Sequence, residues 1–115
     1  MGLQVHTEAR DDLTTVTLAG ELDIYTVADF RARLEDIDPS ADQVVVDLSD
    51  VTLLDSSGIG ALVSLLNRAS EGDRGLGLVC PDRRLLRVFE ITGLRRAFAF
   101  GGDLDAVRIA LVERG

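Results

Sequence analysis

At 115 residues the chain has room for one domain with a true core and not for two, so residues 1–115 are expected to form a single domain. Hydrophobic residues make up 46% of it and aromatics only 4%, so that core is expected to be aliphatic. Twenty acidic residues face twelve arginines and no lysine, and the resulting charge of −8 repels nucleic-acid phosphates and anionic lipid.

No apolar run approaches the ~20 residues that span a bilayer, and no basic-then-apolar leader opens the chain. Cys80 is the only cysteine, which excludes an internal disulfide. These features predict a soluble cytoplasmic protein without direct membrane or nucleic-acid contact.

Leu3 and Val5, then Val16 and Leu18, alternate with Gln4, His6, Thr15 and Thr17 as two half-buried strands should. "EARDDL" between them reads as a hairpin turn, and "AGELDIYT" after them as a loop. Thr26 is placed to cap a helix, with Asp29 where a capping box puts its acid. Val27, Phe30, Leu34 and Ile37 are that helix's buried stripe, and "DPSAD" ends it. "VVVDL", residues 44–48, is a β-branched run of the kind found in a central strand covered on both faces.

Ile59, Leu62, Val63 and Leu66 then carry helical spacing. "EGDRG" turns the chain into the short strand "LGLVC", which Pro81 stops. Residues 82–91 form a short helix with Leu85, Leu86, Val88 and Phe89 inward, ended by Thr92-Gly93. "AFAF" is a fifth strand, "GGD" a turn, and Leu104, Val107 and Leu111 line a last helix. Strands alternating with helices predict an α/β fold with a mixed, partly parallel sheet.

The helix around Ile59 begins badly. It is entered through "DSSGIG", with Gly58 and Gly60 in its first turn, and each glycine costs about 1 kcal/mol relative to alanine inside a helix. A simple cap by Ser56 or Ser57, with Asp55 complementing the helix dipole, accounts for the serines. It leaves the glycines unexplained, and neither serine has Glu or Gln three residues later. Places that break a local rule without visible gain are candidate functional sites.

A serine hydroxyl at a strand-to-helix junction is exposed and held in a fixed orientation, and glycines beside it would leave room for another protein's active site. A phosphate there would meet the positive end of the helix and add about two negative charges beside Asp55. The loop therefore has the chemistry of a phosphorylation switch.

Catalysis is a poorer fit. Leu54 stands two residues before Ser56, where a hydrolase elbow needs glycine, and the single histidine, His6, lies on the first predicted strand. "GIGALV" has Val63 where a dinucleotide fingerprint needs its third glycine. No His/Cys cluster or EF-hand spacing offers a metal site. No catalytic residue, cofactor or metal is expected. Arg83, Arg84, Arg87, Arg95 and Arg96 form a basic cluster, read as a solvated face or as a docking surface for an acidic partner.

Three blocks taken together suggest a family. "GELDIYTVADFRARL", "VVVDLSDVTLLDSSGIGALVSLLNRA" and "LRVFEITGLRRAF" resemble, in order and spacing, the STAS-domain anti-sigma factor antagonists, from about Val16 to the carboxyl terminus. The resemblance implies the STAS fold: a mixed sheet of about four to five strands with about four α-helices. It also implies partner switching. An antagonist of this type, when unphosphorylated, binds an anti-sigma factor of the GHKL serine-kinase type and so releases a sigma factor. The kinase phosphorylates the first serine of D-S-S-G, Ser56 here, and the phosphoprotein dissociates until a PP2C-type phosphatase resets it.

Asp55, Ser56, Ser57 and Gly58 match the motif, and Asp23 matches the neighbouring loop of the family's partner interface. The free protein is expected to be a monomer. The segment "RRAFAFGGD" is more basic than the family pattern, which bears on partner choice. No sensory domain or membrane segment accompanies these blocks, which disfavours a stressosome-type or anion-transporter STAS domain. The competing expectation is a non-switching STAS subunit, for example of a lipid-transport ABC complex.

Overall fold

A computed structural model describes residues 2–40 and 42–114. In chain order they form β1 (Leu3–Arg10), β2 (Leu13–Leu22), α1 (Val27–Arg33), β3 (Gln43–Leu54), α2 (Ser56–Ser70), β4 (Leu76–Val79), α3 (Arg83–Ile91), β5 (Ala99–Gly101) and α4 (Leu104–Arg114). The five strands make one sheet in the order β1-β2-β3-β4-β5. β1 and β2 are antiparallel and every later pair is parallel, so the expected mixed sheet is found.

The pleat sorts side chains onto two unequal faces. Val16, Leu18, Val44, Val46, Leu48, Leu76 and Leu78 point toward α1, α2 and α3, where Phe30, Leu62, Leu65, Leu85 and Phe89 meet them in the main core. Val45 and Val79 point the other way, onto Val107 of α4. β3 is thus covered on both faces, as its β-branched run requires. The core is aliphatic apart from Phe30 and an edge-to-face group of Phe89, Phe98 and Phe100.

Several boundaries differ from the sequence expectation. β2 continues through "AGEL", which was expected to be loop, because Gly20–Leu22 pair with β3 through two register shifts. The hairpin turn shrinks to Asp11-Asp12, with Asp11 at φ 57°. β3 runs on past residue 48 to Leu54; Ser49 and Asp50 interrupt the apolar pattern without ending the strand.

α1 stops at Arg33, four residues before the end of its apolar stripe. Leu34, Glu35 and Ile37 donate instead to the carbonyls three residues back, a tight 3₁₀-like finish that still lets Leu34 reach the core. The expected capping box is not formed, since Thr26 makes no side-chain cap and its hydroxyl donates to the Glu21 carbonyl at 2.7 Å. Ala41 of the expected "DPSAD" turn lies outside the described residues. β5 begins at Ala99 rather than Ala97, whose amide closes a turn on the Leu94 carbonyl.

Candidate functional site

β2 and β3 run side by side to Leu22 and Leu54, so the chain leaves both strands at the same edge of the molecule. Two loops result, and each is organised by an aspartate. After β2, the Asp23 carboxylate accepts from the amides of Tyr25 (2.9 Å) and Thr26 (3.2 Å), while Thr26 Oγ1 accepts from the Asp23 amide (3.0 Å). This is an Asx turn, in which a short acidic side chain stands in for a backbone turn. It leaves Ile24 66% and Tyr25 89% exposed at the tip.

After β3, Asp55 adopts an extended conformation and caps α2. Its Oδ1 accepts from Ser57 (2.9 Å) and Gly58 (3.2 Å), and its Oδ2 accepts from the Ile24 amide of the other loop at 3.2 Å. The Asp55 amide donates in turn to the Leu22 carbonyl at 3.3 Å. One carboxylate therefore starts the helix and ties the loops together. Replacing Asp55 by alanine is expected to lower unfolding stability by about 1–2 kcal/mol, a lost cap plus a lost cross-loop bond. Asparagine, an equally good cap, should restore most of that in chemical denaturation.

This geometry corrects the reading in which a serine capped the helix. With Asp55 as cap, Ser56 becomes the first helical residue; it is exposed, and its hydroxyl has no hydrogen bond among the described residues. Ser57 is half-buried.

The two glycines also part company. A β-carbon on Gly58 would lie 2.7 Å from Leu22 Cγ, 2.8 Å from the Leu22 carbonyl oxygen and 2.9 Å from Leu54 Cδ1, so Gly58 is what lets α2 sit against the ends of β2 and β3. The expectation that it clears space for another protein's active site is wrong. At Gly60 the nearest atom to such a carbon is Nη2 of Arg31, at 4.0 Å. Gly60 lies on the exposed face, one turn from Ser56 and beside Ser64, whose hydroxyl is 3.4 Å from Arg31.

Of the residues expected from sequence, Asp23, Asp55, Ser56, Ser57 and Gly58 come together at this edge. Sequence reasoning missed Ile24, Tyr25 and Leu53, which is 45% exposed next to Leu54. Bulky apolar residues inside a predicted loop, "LDIYT", were the available signal, since a loop has no core for them to enter.

His6 lies in mid-β1, opposite Thr17. The five arginines expected as a cluster are all exposed. Arg84 pairs with the Asp82 cap of α3 at 3.4 Å and Arg95 lies over the Phe100 ring at 4.5 Å, while no described contact links the cluster to the two loops. The described residues include no group of three or more His, Cys, Asp or Glu placed to hold a metal, and no helix long and apolar enough to cross a membrane.

Comparison with known proteins bears on what this edge belongs to. The family model described as "Mlab, STAS domain" matches residues 5–110. The anti-sigma-B factor antagonist of Staphylococcus epidermidis is 34% identical over 96 residues, covering 83% of this chain and 89% of that one. Among solved structures, an anti-sigma factor antagonist from Mycobacterium paratuberculosis is 25% identical and superposes with a TM-score of 0.78 over 96% of this chain and 94% of that one.

The antagonist SpoIIAA shares the fold at lower identity. Its unphosphorylated form has a TM-score of 0.70 at 19% identity, covering 96% of this chain and 98% of that one. Its phosphorylated form, from Bacillus, has 0.69 at 20%, covering 92% and 98%. Proteins of this kind are regulatory binding proteins rather than enzymes. The mixed five-stranded sheet, the four helices and the matched sequence agree: the chain belongs to the STAS-domain family of anti-sigma factor antagonists.

Proposed function

We propose that the unphosphorylated protein binds an anti-sigma factor of the GHKL serine-kinase type, releasing a sigma factor in the cytoplasm, and that phosphorylation of Ser56 switches this binding off. A PP2C-type phosphatase resets the switch. The observation that carries the reading is the setting of Ser56: an exposed hydroxyl with no hydrogen bond among the described residues, on the first residue of a helix whose own cap is supplied by Asp55. The names of the staphylococcal relatives support the antagonist role, and the existence of SpoIIAA in two phosphorylation states supports the switch.

The residues divide by task. Ser56 takes the phosphate, while Ile24, Tyr25 and Leu53 offer exposed apolar area at the same edge of the molecule. Aromatic side chains in such positions commonly anchor interfaces. Asp23 and Asp55 shape the two loops, and Ser57 and Gly58 seat the helix beneath them. One added phosphate can act through local charge alone, without remodelling this surface.

The test is to incubate the purified chain with its candidate kinase and ATP and to map the product by mass spectrometry. The expected result is one phosphate, on Ser56, that is absent from Ser56→Ala. A chain left unmodified while still binding the kinase would favour the non-switching STAS subunit instead.

A further inference from the structure

The sheet has one long edge without a second strand partner among the described residues. Among the described residues β1 pairs with β2 alone, through eight consecutive residues and without the register shifts seen between β2 and β3. Exposed edges invite pairing with another strand, and proteins usually blunt them with charged side chains, proline, bulges or very short strands, of which β1 carries only the charges of Glu8 and Arg10. β1 contains no proline or bulge, whereas the opposite edge, β5, has only three residues.

The hydrogen-bond phase of this edge follows from one contact. Glu21 donates its amide to the Gly2 carbonyl at 3.0 Å, which makes Gly2 and Glu21 a hydrogen-bonded pair. Such pairs alternate along an antiparallel ladder, so Gln4, His6, Glu8 and Arg10 spend their backbone groups on β2. Leu3, Val5, Thr7 and Ala9 point their amides and carbonyls away from the sheet. They are therefore the groups a further strand would meet.

We propose that β1 is a self-association edge, on which a second copy of this chain adds its own β1 antiparallel about a two-fold axis through Thr7. The register follows from side-chain complementarity. With Thr7 opposite Thr7 of the second copy, Val5 faces Ala9 on the helix side. On the other face His6, a donor, lies opposite the Glu8 carboxylate, and the Gln4 amide lies opposite Arg10. Each of these pairs occurs twice, and each stands at the close spacing typical of cross-strand neighbours.

Competing registers are poorer. A shift of one residue in each copy toward the amino terminus sets His6 against His6, and the opposite shift sets Glu8 against Glu8. The pairing is isologous, so it closes as a dimer with a continuous ten-stranded sheet and does not propagate. The charge of −8 on each copy opposes association over long range. Screening falls within about 8 Å at physiological salt, which leaves the short-range pairs to act. The monomer expected from sequence becomes, on this reading, one side of a reversible equilibrium.

The experiment is sedimentation of the wild-type chain over a concentration series at physiological salt, beside Thr7→Pro and two cysteine variants. The wild type should show a concentration-dependent dimer. Thr7→Pro, which removes both central edge hydrogen bonds without touching the β2 ladder, should weaken it tenfold or more. Because Thr7→Pro can also disturb β1, Thr7→Cys supplies an independent readout. Hydrogen-bonded antiparallel partners have Cα atoms about 5.5 Å apart, within disulfide range, so oxidised Thr7→Cys should run as a covalent dimer. Cys80 is buried and gives no competing product. His6→Cys should crosslink much less, being opposite Glu8. Wild type that stays monomeric at every concentration overturns the dimer, and preferential crosslinking of His6→Cys overturns the register.

Discussion

Replacing Ser56 by aspartate is expected to weaken binding to the anti-sigma partner by a hundredfold or more while leaving the fold unchanged. Burying an extra carboxylate in an interface without a matched cation costs several kcal/mol, and about 2.7 kcal/mol already corresponds to a hundredfold. The substituted side chain would stand beside Asp55, whose own carboxylate is committed to three backbone amides and supplies no counter-charge. Stability should move little, because an acid at the first helical position is favoured by the helix dipole and the hydroxyl it replaces has no hydrogen bond among the described residues.

A melting temperature within about 3 °C of wild type, together with loss of binding by calorimetry, is the expected pair of results. Ser56→Ala should keep the binding and lose the switch. Ser56→Asp bound as tightly as wild type would remove Ser56 from the mechanism.

The second large effect distinguishes two glycines that look alike in sequence. Alanine at Gly58 gains about 1 kcal/mol in helix propensity but drives a methyl group into Leu22 and Leu54 at under 3.0 Å. One of the obstructing atoms is a backbone carbonyl oxygen, which cannot rotate aside, so α2 must shift. Overpacking of this kind typically costs 1–3 kcal/mol, and the net change is expected to be destabilising.

At Gly60 the same substitution meets nothing closer than 4.0 Å and should stabilise by up to about 1 kcal/mol. Urea unfolding of the two variants should therefore move in opposite directions, about 2 kcal/mol apart. Equal shifts would mean that the end of α2 is looser than its contacts indicate. Because α2 also carries Ser56, the Gly58 variant should reduce partner binding as well as stability.

Much of this protein was legible in one dimension. Amphipathic spacing marks α2 and α3 most clearly, and the β-branched run at Val44–Val46 marks the strand that both layers cover. The break in helical quality at "DSSGIG" marks the loop proposed to carry the function. These are local signals: propensity and apolar period are properties of a few consecutive residues. Strand ends were less legible, as β2 and β3 show. Their final residues are held by pairing with each other across register shifts, and pairing partners some 30 residues apart leave no trace in a short window.

Which residue does what at the site was decided only in three dimensions. Two serines and an aspartate next to a helix are each competent to cap it; the extended conformation of Asp55 at the end of β3 selects the aspartate and leaves Ser56 exposed. Gly58 and Gly60 have the same propensity, and what separates them is Leu22, 36 residues before the first of them, packed where one β-carbon would be. Asp23 and Asp55 belong to one site because β2 and β3 end side by side, and Ile24 and Tyr25 are surface because a turn closed by Asp23 holds them off the core. Burial, contact and exposure are sums over distant parts of the chain. The sequence by itself therefore determined that a switch-like serine sits at a helix start, and the tertiary structure decided what holds it there and what surrounds it.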